Sequence, residues 1–200
     1  MPTDEPKSQP ALGFLTVLEH AQHGLMGGYL VLNHAGRPLE FHCTTPIKPN
    51  RAQEILYGPT LDPYLFGEQI GKALVAKSSV EPLLICTDLR PAMAVRGLVS
   101  APVALVLADE RANESPAASG TAEARGETML RVPKVRVDAA HDGRPLLQIF
   151  QVGRNRLAVP PDRESDRAAI LKRLAPLEDL FDFAEPFGRI REALEEAQRR

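Results

Sequence analysis

The sequence predicts an α+β fold: a mainly antiparallel sheet built from hairpins, helices packed on one face, and a C-terminal amphipathic helix. Three features predict it. Short apolar runs recur at 12–18, 30–32, 83–86 and 103–107, the length of strands rather than of long helices. The segment HAGRP separates GYLVLN from LEFHCT, which is hairpin turn chemistry. Phe187, Ile190, Leu194 and Ala197 recur at helical spacing near the C-terminus.

Taken in order, residues 1–10 are polar and proline-rich and read as a flexible tail. LGFLTVL suits a strand, and the stretch EHAQHGLMGG leads to Tyr29. In the first hairpin Leu30, Val31 and Leu32 form a buried run. After the turn, Leu39, Phe41 and Cys43 alternate with Glu40, His42 and Thr44, which places the apolar set on the core side. Gly36 supplies a positive φ in the turn. Asn50 and Gln53 have the spacing of a capping box, and Gly58 is a natural stop for the helix NRAQEILY. Asp62-Pro63 reads as a second helix start, followed by the stripe Phe66, Ile70, Ala73 and Leu74. LLIC and VALVL are buried strands, and 88–98 is either a short helix or a turn into a strand.

Residues 109–128 contain almost no large apolar side chain and read as a flexible insertion within one domain spanning 11–200. A second hairpin is expected from 129–137 and 145–152, with a short strand at 157–159. The motif HAGRPL at 34–39 is echoed by HDGRPL at 141–146; Gly and Pro are what turns use, so convergence is the plainer reading, and two structurally equivalent halves is the sharper one. Helical pieces are expected at 166–175, 177–184 and from Pro186 onward. The last has i,i+4 pairs Arg191/Glu195 and Glu195/Arg199 on its wet side.

Composition narrows the functional classes. The chain of 200 residues is 44% apolar and 25% charged, enough for a real core. Its 24 basic and 26 acidic side chains leave a net charge of −2, so no global field favours nucleic acid or an anionic membrane. The 18 prolines, against an ordinary ~5% of residues, imply short elements with defined ends. The two cysteines, Cys43 and Cys86, stand far apart, as expected in a reducing compartment. No apolar run is long enough to cross a membrane, and no secretory leader is evident. A cytoplasmic location is expected.

Candidate chemistry is sparse. His20 and His23 would share a helix face, and with His42 and Cys43 they could form a metal site. No HExxH or CxxC supports it, and a polar turn before the hairpin is the plainer reading. Cys43 with His42 as base would make a thiol nucleophile. Adjacent strand residues point to opposite faces, so Cys43 reads instead as a small buried hydrophobe, as does Cys86. No phosphate-cradling loop and no GxSxG is present, and no cofactor is expected. The second hairpin carries Arg131, Lys134, Arg136, Arg144, Arg154 and Arg156. Lys134 and Arg136 would share an outer face able to meet an acidic partner or nucleic acid, although no aromatics are interleaved for base stacking. The plainer reading is a wet face with edge-protecting charges.

The expectation is a non-catalytic interaction or regulatory protein, a scaffold or adaptor, with a protein partner or a second copy as its ligand and without a membrane. The candidate surface is Lys134, Arg136, Arg144, Phe187, Ile190 and Leu194. The alternatives are an enzyme or metalloprotein with a site near His20, His23 and His42, and a nucleic-acid binder using the basic hairpin 131–156.

Overall fold

In the computed structural model, which describes residues 10–20, 22–107, 130–131, 147–177 and 180–199, the first strand is the axis of the molecule. Strand β1 (Ala11–His20) is apolar almost throughout because both of its faces are covered. Leu12, Phe14 and Leu18 enter one core cluster; Ala11, Leu15 and Val17 enter another. The alternation follows from the two-residue period of a strand.

β1 turns back into β2 (Gly24–Asn33), with an antiparallel register from His20–Gly24 to Ala11–Asn33. β3 (Pro38–Cys43) lies antiparallel on β2. The other side of β1 pairs in parallel with β4 (Leu84–Thr87), and β4 pairs in parallel with β5 (Val103–Leu107). The two-residue β6 (Leu130–Arg131) pairs antiparallel with Glu19 and His20 at the end of β1. β8 (Asn155–Val159) is antiparallel to β5, and β7 (Gln148–Val152) is antiparallel to β8. The strand order is β3-β2-β1-β4-β5-β8-β7.

The sheet is therefore mixed, not mainly antiparallel. Long helical connections from β3 to β4 and from β4 to β5 carry the chain back to the same end of the sheet, which is what parallel pairing requires. The second hairpin also differs from expectation. β7 pairs with β8 across Gly153 (φ 57°), whereas Leu130 and Arg131 pair with β1. Residues 132–146, with the second HxGRPL copy, lie outside the described residues, as do 1–9 and the expected insertion at 109–128.

Helical side chains enter both clusters rather than one face. α1 (Arg51–Tyr57) begins with the expected capping box: Asn50 Oδ1 accepts from Gln53 N at 2.8 Å, and Gln53 Oε1 accepts from Asn50 N at 3.0 Å. α1 stops at Gly58 (φ 49°), and beyond it a 3₁₀ turn (Gly58–Thr60), α2 (Leu61–Pro63), a π-helical stretch (Tyr64–Gly71) and α3 (Lys72–Val75) succeed one another directly. Asp62 is therefore inside a helix, not at its start. Leu61, Leu65, Phe66, Ile70 and Leu74 join the cluster of Leu15 and Val17; Ala73 is exposed. Residues Arg90–Gly97 settle as a 3₁₀ helix on that side, with Ala92 and Val95 buried.

α4 (Glu164–Leu174) and α5 (Glu185–Gln198) contribute Ile170, Leu174, Phe187, Ile190 and Leu194 to the cluster of Phe14 and Leu18. Two adjacent glycines let the two layers approach the same strand. A Cβ on Gly27 would stand 2.1 Å from Ile70 Cγ2, and one on Gly28 would stand 2.3 Å from Ile190 Cγ2. Residues 180–184 are not the helix expected there. The Asn155 side chain captures that segment, donating to Phe181 O (3.0 Å) and accepting from Phe183 N (2.7 Å). Phe181, Phe183 and Phe187 then surround Phe14 at 5.8 Å between ring centroids.

Candidate functional site

The first candidate is built on β3, which pairs with β2 on one side and is an outer strand of the sheet. The turn before it forms as its chemistry dictates. Asn33 Oδ1 accepts from Ala35 N and Arg37 N, both at 3.0 Å, and Gly36 takes φ 75°. Arg189 of α5 clamps this turn by donating to Gly36 O at 3.1 Å. The register pairs Leu30 with Phe41 and Val31 with Glu40, then slips by one residue, leaving Leu39 as a bulge before Pro38.

Alternation places Glu40 and His42 on one side of β3 and Phe41 on the other. The expected core set is not buried: Leu39 and Phe41 are 42% and 39% exposed, and Cys43 is an exposed free thiol. The correction has a simple cause. Alternation tells which residues share a face, but an outer strand at this position extends beyond the helices that cover β1 and β2.

Glu40 fixes the inner side of the strand. Its carboxylate accepts from Ser78 Oγ (2.7 Å), from Ser79 N (3.1 Å) and from the Ser79 hydroxyl, and lies 3.0 Å from His42 Nε2. These bonds, from Ser79 first, then Ser78 and His42, lower its pKa to about 2. A Ser, a His and a Glu thus meet, but not in the order nucleophilic catalysis needs. Both serines donate to the carboxylate rather than to the imidazole, so neither hydroxyl has a base to activate it. The arrangement pins the segment after α3 to the strand.

The histidines do not converge. His20 Nδ1 accepts from Gln22 N and His23 N, each at 3.1 Å, and its ring lies tilted against that of His23 at 4.4 Å between centroids. It organises the β1–β2 turn, while His42 is bound to Glu40 on another strand. Among the described residues no group of three His, Cys, Asp or Glu side chains could hold a metal ion. Cys86 is buried, as expected, and desolvation pushes its thiol far up. Phe187, Ile190 and Leu194 are buried in the chain's own core, so the apolar face of α5 is already occupied. Lys134, Arg136 and Arg144 lie outside the described residues. No family model matches the chain. No curated protein matches it well enough to count as a relative.

The second candidate was not anticipated. Asp88 follows directly on β4, and the neighbouring Thr16 on β1 is fully buried. Arg191 of α5 does not pair with Glu195 as its spacing suggested; its Nη2 turns inward onto Asp88 Oδ2. Thr16 Oγ1, Asp88 Oδ1 and Arg191 Nε are buried, and none makes a hydrogen bond of full geometry among the described residues, although the Thr16 hydroxyl lies close enough to Asp88 to act on it. Burial pushes the Asp88 carboxyl up, against the opposing pull of the Thr16 hydroxyl and the Arg191 guanidinium. Asp88 stands at the carboxyl end of β4, the kind of place where α/β sheets commonly put ligands, and Thr16 lies in the middle of the neighbouring β1. The available signal in the sequence was slight: a lone Thr inside an apolar run, and an acid immediately after LLICT.

Proposed function

We propose that this chain is a non-catalytic interaction protein, a scaffold or adaptor, that receives another polypeptide strand along the open edge of β3. The observation that carries the reading is the combination of an outward Phe41 and a strand held rigid by Glu40 from one side and by the Arg189–Gly36 contact at its turn. A preformed edge costs little ordering entropy on binding, so main-chain pairing and one aromatic anchor can supply affinity. Two free cysteines support a reducing compartment, and the cytoplasm is the proposed location. No helix among the described residues is long and apolar enough to cross a membrane.

The test is affinity capture from the native host with the wild-type chain and with Phe41→Arg. A partner retained by the first and lost by the second is the expected result. The same set of proteins on both baits would refute docking at β3.

An enzymatic reading is favoured by one observation, the half-buried Asp88 with its carboxyl pushed up beside Arg191. Such a group suits general acid–base work. It moves the candidate site away from His20, His23 and His42. An activity that survives Asp88→Asn unchanged would remove it.

A further inference from the structure

The edge of β3 is chemically self-complementary. Around Phe41 the sequence reads Glu40-Phe41-His42. If two such strands run antiparallel about a two-fold axis at Phe41, Phe41 faces Phe41 of the second copy. Each Glu40, already held in its own copy by Ser78, Ser79 and His42, then faces His42 of the other copy. The aromatic pair lies on one side of the joined sheet, and the two acid–imidazole pairs lie on the other. Both are favourable cross-strand combinations.

The backbone supports the same register. Thr44 N donates to Gly27 O at 3.0 Å, so the peptide groups of Thr44 and, by alternation, His42 and Glu40 are directed at β2. Those of Phe41 and Cys43 are therefore directed away from β2, at an edge that no strand among the described residues pairs. A pair centred on Phe41 uses those groups without disturbing the ladder already made. The bulge at Leu39 and Pro38 ends the available edge on one side, and Pro46 follows β3 on the other. A short symmetric contact of this kind closes on itself and gives a dimer, not a fibre.

We infer that the occupant of the β3 edge is a second copy of this chain, paired antiparallel with Phe41 on the two-fold axis and Glu40 opposite His42. The inference rests on the proposed use of β3 for docking and goes further in naming the occupant and register. A partner strand of another sequence would not need the acid–aromatic–imidazole symmetry.

Sedimentation velocity of the full chain and a disulfide test decide it. The wild type is expected to be a dimer. Phe41→Arg, which sets two guanidiniums face to face, is expected to weaken it by about 100-fold or more, with an unchanged circular dichroism spectrum. Phe41→Cys combined with Cys43→Ser is expected to give a covalent dimer on mild oxidation, because directly opposed residues at about 5.5 Å between Cα atoms are within disulfide reach. A monomeric wild type overturns the inference; so does a dimer indifferent to Phe41→Arg, or one that the Phe41→Cys pair fails to cross-link. If the wild type is monomeric but Phe41→Arg still loses a captured partner, docking at β3 stands and self-pairing falls. If both fail, the docking reading falls with it.

Discussion

Glu40 shows how much a single side chain can decide. Folding lowers its pKa from 4.5 to about 2 through hydrogen bonds from Ser79, Ser78 and His42. A carboxylate depressed on folding adds stability that is fully present above its unfolded value. That stability is lost as pH falls through the folded one. The contribution should therefore be constant at neutral pH and disappear between about 4.5 and about 2. Melting temperatures of the wild type and Glu40→Gln should converge across that window; a gap that persists below it would show that the charge is not the source. Asn155 makes a second residue-scale case. Its buried amide holds Phe181 O and Phe183 N, so Asn155→Ala leaves two backbone groups unmet and should cost about 2–3 kcal/mol in denaturant unfolding. A loss within about 0.5 kcal/mol, typical of an exposed site, would mean the segment holds its shape without the amide.

At the scale of elements, local chemistry was legible and long-range choice was not. The Asn50–Gln53 box, the stop at Gly58, the turn around Gly36 and the strand VALVL follow from spacing and residue type, and each forms as read. The helix expected at 177–184 fails at 180–184 because its backbone is claimed by Asn155, more than twenty residues earlier. Phe41 and Glu40 lie on opposite faces of β3 as alternation says, yet Leu39, Phe41 and Cys43 are exposed, because burial on an outer strand depends on what covers it, which no alternation records. Arg191 likewise has a local partner by spacing and a distant one in space. The docking of α5 gives this scale its prediction. Gly28 admits Ile190, so Gly28→Ala should overpack the joint and cost about 1–3 kcal/mol. Ile190→Ala vacates the same space, so the two changes together should cost less than their separate losses added. Strict additivity in a double-mutant cycle would show that the two side chains do not compete for that volume.

For the whole molecule, the mixed sheet makes the two ends of the chain depend on each other. β1 and β2 come first, yet the cluster on one of their faces is completed by Phe183, Phe187, Ile190 and Leu194 from the last part of the chain. The half-buried Arg96 and the buried Asp166, paired through bonds of 2.6 and 2.9 Å, tie the 3₁₀ helix of one cluster to α4 of the other. A terminal amphipathic helix could in principle be exchanged for a partner's, as its position in the sequence invites. The burial argues otherwise. Those four side chains are each worth about 1.5–3 kcal/mol when removed from water. Their combined contribution of about 6–12 kcal/mol is comparable to the whole stability of an ordinary domain, about 5–15 kcal/mol. A chain shortened to end at residue 179 should therefore lose cooperative unfolding and expose apolar surface. Urea denaturation followed by circular dichroism, with dye binding as the surface probe, would measure both. If the shortened chain instead keeps a sharp transition and binds no dye, α5 is a detachable element. In that case its apolar face, not the edge of β3, becomes the surface a partner would take.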